Sequence, residues 1–210
     1  MNDSMEVSDG GVGDNEVLVD ETKSAPDDRA ERGPLDVAEA SAVRPYVDLG
    51  SIKVLPREGL QLRLDVEDGT QRIVAVSLDY ADSTLQVQAF SAPRSTGLWH
   101  EVRGQIFTQL SGQGLSIVEQ ENEFGPELQV DLVNQATAAV NRVRFVGVDG
   151  PRWLLRGVVS GAAVNDLDAA DKIHELFRSI VVVRGDLPLP PRDLLPLRVP
   201  TAATAAAEAE

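Results

Sequence analysis

Four arginines fall within fifteen residues of one another in "RVRFVGVDGPRWLLRG" (142–157): Arg142, Arg144, Arg152 and Arg156. A guanidinium is a planar fork of N–H donors that stays charged at any physiological pH, so several on one sheet face make a candidate anion-binding or carboxylate-binding surface. Whether they share a face depends on register. A three-residue loop "DGP" (149–151) pairs 144 with 156, 146 with 154 and 148 with 152. One face then gathers Val143, Phe145, Trp153, Leu155 and Val159, with Trp153 over Gly147, and the arginines share the other with Val146, Val148, Leu154 and Val158. A two-residue turn would mix arginines with Trp153, so apolar segregation favours the longer loop.

One hairpin upstream, Glu119, Glu121 and Glu123 alternate along one strand, and Glu127 and Asp131 share a face of the next. Acids beside arginines on adjoining strands are what cross-strand pairing produces, at about 0.2–1 kcal/mol per pair. The favoured reading is therefore a charge ladder that neutralises Arg142, Arg144, Arg152 and Arg156. The alternative is a small-anion or nucleotide pocket formed by the same four. Arginine sites for phosphate usually add a glycine-rich loop or a helix N-terminus, and none is evident beside these.

Other chemistry is sparse. The chain has no cysteine, which removes thiolate nucleophiles, disulfides and Cys-based metal sites. Its two histidines, His100 and His174, are too few for a His-rich metal centre, and each falls within a helical pattern as a packing or surface residue. No GxSxG, HExxH, GxxxxGK[ST] or GxGxxG occurs. Asp65/Glu67 and Asp79/Asp82 are carboxylate pairs at hairpin ends, where turn chemistry accounts for them. No nucleophile, base and orienting group can be assembled, so the expectation is a non-catalytic protein without cofactor or metal.

The elements that must position these residues follow from periodicity. "LQLRLDV" (60–66), "RIVAVSLDY" (72–80) and "STLQVQAFSA" (83–92) alternate as antiparallel strands joined by "EDGT" and "AD". In "APRSTGLWHEVRGQIFTQLSGQG" (92–114), Leu98, Val102, Ile106 and Leu110 recur every fourth residue, predicting a helix capped by Ser95 or Thr96. Gly104 inside it predicts close contact with the sheet, and Gly112 and Gly114 supply the exit. Strands "LSIVEQENEF" and "ELQVDLVN" flank a "GP" turn, and "QATAA" leads as a loop into the arginine hairpin. A second helix over 165–180 carries Ile173, Leu176, Phe177 and Ile180 behind Asn165, Asp166 and Asp168 as candidate caps, and runs into a short central strand, "VVVRG". Strands, helix, strands, helix, strand is an α+β order, with antiparallel meander sheets and two packed helices.

The net charge is −15, and residues 1–44 hold 12 acids and 4 bases, −8 of that total. This composition predicts a disordered acidic tail over 1–44, an α+β domain over 45–186, and a Pro-rich then Ala-rich extension over 187–210. "PLPP" before Arg192 resembles a polyproline ligand, whereas Leu189, Leu194, Leu195, Leu197 and Val199 are too apolar for a free linker. So acidic a chain disfavours nucleic acid as a partner. No stretch reaches the roughly 20 apolar residues of a membrane span, and the acidic start lacks the pattern of a signal peptide, so a cytoplasmic protein is expected.

"YVDLGSIKV", "APRSTGLW", "RFVGVDGPRWLLRG" and "LFRSIVVVRGDLPLPPRDLLPLRVP" resemble an uncharacterised actinobacterial family of unknown function, family 3710, from about 45 to 200. That resemblance implies no activity. More loosely, two meander blocks each followed by a helix, ending in "ELFRSIVV", are similar to the Mog1/PsbP-like α+β sandwich, which implies a binding or assembly role. "LQVDLVNQATAAVNRVRF" and the proline extension depart from that pattern. The combined expectation is an adaptor or accessory subunit that contacts another protein, of unknown oligomeric state, through the arginine surface and the proline extension.

Overall fold

The computed structural model describes residues 21–133 and 140–200. The chain forms α1 (Arg29–Arg32), β1 (Leu35–Asp36), β2 (Val47–Asp48), β3 (Ile52–Val54), β4 (Gln61–Val66), β5 (Ile73–Tyr80), β6 (Ser83–Ser91), α2 (Trp99–Gly112), β7 (Ser116–Asn122), β8 (Gly125–Val133), β9 (Val140–Asp149), β10 (Trp153–Gly161), α3 (Leu167–Arg178) and β11 (Val181–Val182). A seven-stranded antiparallel sheet runs β4-β5-β6-β10-β9-β8-β7, and a small sheet runs β1-β11-β3-β2. The fold is α+β, as the order of periods predicts.

The large sheet is covered differently on its two faces. Against the first face pack α3 and the small sheet. Their Ile173, Leu176, Phe177, Ile52 and Val182 enclose Val76, Leu85, Val87, Val146, Val148, Trp153, Leu155 and Val159. On the second face α2 lies over β7, β8 and β9, and its Trp99, Val102 and Ile106 meet Leu154, Phe145, Leu128 and Val130. It leaves the second-face side chains of the β4 edge uncovered, with Gln61 and Arg63 exposed.

Because β9 and β10 are buried on both faces, segregation of apolar residues cannot fix their register. Asp149 pairs with Leu154, Gly147 with Arg156 and Arg144 with Val159, three residues away from the predicted register. The connection is 150–152, with the Gly150 N–H donating back to the Trp153 carbonyl at 2.8 Å. An odd slip exchanges faces, so Arg156 stands on the face opposite Arg142 and Arg144. Trp153 is fully buried as predicted, but it lies over Gly150, where a Cβ would come within 2.1 Å of the indole. The ring over Gly147 is Trp99, 2.3 Å from where a Cβ would stand.

Two further expectations are corrected, and the alternatives for the proline segment, packing on the domain or cover by a partner, are narrowed to the first. Residues 21–44 are part of the domain, so no acidic tail extends to 44. There β1 pairs in parallel with β11, Asp36 accepts a 2.9 Å hydrogen bond from the Trp153 indole, and Ser24 is buried. Residues 1–20 and 201–210 lie outside the described residues, as does the loop "QATAA". The proline segment packs on the domain: Leu195 is fully buried and donates its N–H to Ala89, while Ser91 N–H donates to Asp193. Around Gly104 a Cβ would meet nothing within 4 Å, so this glycine marks no helix–sheet contact.

Candidate functional site

The four arginines do not converge. Arg142 and Arg144 point to the first face and Arg156 to the second, while Arg152 stands in the 150–152 connection, exposed and within 3.4 Å of the Gly185 carbonyl. Arg142 forks onto Asp131 at 2.6 and 3.0 Å, and this hydrogen-bonded guanidinium holds the Asp131 carboxyl below its ordinary range. Arg144 forks onto Glu127 with both contacts at 2.8 Å. Of the predicted ladder acids, Glu127 and Asp131 therefore engage arginines of the group. Glu119 lies on the other face, 3.4 Å from Arg103 of α2.

Glu127 is fully buried, a placement costly for a carboxylate unless every oxygen is satisfied. Besides Arg144, Gln120 donates to it at 2.5 Å, and Asn122 donates to its second oxygen. Strand pairing produces this set, because Gln120 is the cross-strand partner of Glu127 and Arg144 that of Gln129.

From there the polar chain runs outward. Arg144 also lies 3.2 Å from Nε2 of His174, whose Nδ1 is 2.6 Å from Glu123. Burial, and then the Arg144 charge, push His174 below its ordinary value. The ring is thus neutral, accepting from Arg144 at Nε2 and donating to Glu123 from Nδ1. Glu123 takes Arg178 at 2.7 Å, and Arg178 reaches Asp28 at 3.1 Å, which ties α3 to the N-terminal segment. Phe124 stacks edge-on against His174 and Phe177, and the Arg178 guanidinium lies over its ring. Each acid in this network is met by a donor, so the arrangement braces strands, helix and N-terminal segment. His100, on the first turn of α2, lies 3.4 Å from Arg103.

Arg156 differs. Its second-face row runs Asp65, Ala75, Gln88, Arg156 and Gly147 across five strands. Its guanidinium donates to the Gln88 side chain and lies 5.3 Å from the Phe90 ring centroid. It has no carboxylate partner among the described residues, its Nε is buried without an acceptor, and burial lowers its pKa. Around it the uncovered face is a hydrogen-bonded mesh. Ser77 and Gln86 donate to Asp65, both at 2.7 Å, and Arg63 forks onto Asp79, which also accepts from Thr84. Asp65 and Asp79, read from sequence as turn residues, are cross-strand acceptors here, whereas Glu67 accepts from Thr70 within its turn and Asp82 stands in the β5–β6 turn at φ +55°.

Asp149 escaped sequence reasoning. Its carboxylate accepts from Leu98 N–H at 2.9 Å, Trp99 N–H at 3.3 Å and Ser24 N–H at 3.0 Å, while burial pushes its pKa up. It does the capping expected of Ser95 or Thr96, since Leu98 occupies the N-cap with no side-chain bond of its own. Among the described residues no group of three or more His, Asp or Glu could hold a metal ion, and no helix is long and apolar enough to cross a membrane.

A family model described as "Protein of unknown function (DUF3710)" matches residues 33–206. No curated protein matches the chain. Among solved structures, the chain is similar to cyanobacterial PsbP (CyanoP) from Synechocystis sp. PCC 6803. The identity is 14%, covering 68% of this chain and 96% of that one, with a TM-score of 0.39.

Proposed function

The chain belongs to the DUF3710 family of proteins of unknown function, and we propose that it is a non-catalytic cytoplasmic adaptor or accessory protein. It contacts another protein through the uncovered face of its large sheet. The observation that carries this reading is Arg156, half-buried beside Phe90 and Gln88 with no carboxylate of its own, in a chain of net charge −15. A desolvated guanidinium left without a counter-charge is unfavourable alone and strongly complementary to a carboxylate brought by a partner. Arg142 and Arg144 already hold Asp131 and Glu127 on the opposite face, which supports this reading over the alternative of a small-anion or nucleotide-binding regulatory domain using all four arginines.

Affinity capture with the full chain tests this, comparing wild type with Arg156→Ala, Arg142→Ala and Gln61→Trp, the last a block at the exposed edge of the same face. A discrete, stoichiometric partner held by wild type and Arg142→Ala and lost with Arg156→Ala and Gln61→Trp supports the reading. Equal capture by all four moves the interface elsewhere. No stoichiometric partner for any of them overturns the adaptor function.

A further inference from the structure

We propose that the proline segment builds a second site, for a short aliphatic carboxylate, independent of the Arg156 surface and sharing no residue with it. A cavity of about 270 Å³ lies between the β2–β3 turn (Gly50, Ser51), the chain leaving β11 (Val183, Arg184) and the returning segment with Leu189 and Leu197. Its walls are fastened by backbone. Val183 N–H donates to Ser51 at 2.8 Å, Ser51 N–H to Pro196 at 3.2 Å and Arg198 N–H to Leu49 at 2.8 Å, and Gly50 bridges Leu197. Gly50 has φ +91°, and a Cβ there would stand 3.0 Å from the Pro196 carbonyl, so the chains close up only because the residue is glycine.

The lining chemistry is lopsided. Val183, Leu187, Leu189, Pro196 and Leu197 give an apolar interior, while the cations are Arg184 and Arg198. Arg198 is 2.9 Å from Asp48. Arg184 donates to the Leu187 carbonyl at 2.9 Å and lies 3.5 Å from that of Leu189. Its Nε is buried without an acceptor, and no carboxylate among the described residues pairs with it. A preformed apolar cavity with one uncompensated guanidinium at its wall suits a ligand with an apolar chain and a single anionic end. The volume is below that of a site for drug-sized ligands, which limits the ligand to a single unbranched chain of medium length.

The test uses the full chain with sodium octanoate, followed by calorimetry and by nuclear Overhauser contacts from the ligand methyl. Hexanoate and octan-1-ol are the comparators. The expected result is contacts to Leu189 and Leu197, and octanoate about fifteenfold tighter than hexanoate, since each buried methylene contributes roughly fourfold. Octan-1-ol and the Arg184→Gln protein should each lose at least about tenfold, the loss of a charge-assisted hydrogen bond. Leu187 is 63% exposed, so Leu187→Trp fills the mouth without disturbing the core and should also abolish binding; it decides the matter if Arg184→Gln misfolds. Absence of binding to wild type at millimolar octanoate overturns the proposal. So does undiminished binding to either variant, or ligand contacts confined to other residues. The Arg156 variant should bind octanoate normally, which separates this site from the docking surface.

Discussion

The Asp149 carboxylate closes the start of helix α2 from 51 residues further along the chain, through the Leu98 N–H. It also holds Ser24, so one side chain joins the N-terminal segment, the helix and the end of β9.

Asp149→Ala should therefore cost more than an ordinary cap, about 2 kcal/mol or above, because it strands three N–H groups. Denaturant unfolding measures it. The sign with pH is set by the raised folded-state pKa: the contribution is full below the ordinary value of 3.8 and is lost as pH rises through the folded value. Asp149→Asn should remove that dependence.

His174 predicts the opposite slope. The unfolded chain takes up a proton near the ordinary value of 6.5, and the folded chain, which buries the ring and sets it against Arg144, resists it. Stability should fall as pH drops below 6.5 towards the folded value, even though Glu123 and Glu127 face the same ring and favour the charge. Thermal unfolding between neutral and mildly acidic pH should show the loss in wild type and a shallower one in His174→Gln.

Arg144→Ala leaves Glu127 buried with its charge uncompensated and should destabilise by about 3–5 kcal/mol. The pair change Arg144→Met with Glu127→Leu should recover much of that loss. Failure to recover it in denaturant unfolding would give the pair a specific packing role beyond charge neutralisation.

Two glycines should respond in opposite directions. Gly147→Ala drives a methyl into the Trp99 ring and should cost about 1–3 kcal/mol or more. Gly104→Ala meets nothing within 4 Å and should stabilise α2 by about 1 kcal/mol. Melting temperatures of the two variants distinguish them directly.

What the sequence reveals and what it conceals divide along physical lines. Period-two runs such as Leu60, Leu62, Leu64 and Val66, and the helical stripe of Ile173, Leu176 and Phe177, are local signals and locate their elements. Asp166 caps α3 as one of its predicted candidates, with Ala169 N–H donating at 2.8 Å. The arginine register is not legible, because Val146 and Phe145 both face cores and either slip buries apolar groups. Residues 21–44 look like a solvated leader because their attachments are backbone pairs and single polar contacts, such as Asp36 with Trp153, with no apolar period. Asp149 is hidden for the same reason: a cap supplied across 51 residues leaves no local pattern.

Trp99 and Trp153, the chain's two tryptophans, sit on opposite faces of the large sheet, each pressed against a glycine. Each indole thereby becomes an optical reporter of its own layer. With one replaced by phenylalanine, fluorescence from the other follows either the α2 side or the α3 side alone, and coincidence of the two unfolding traces measures how cooperatively the layers come apart.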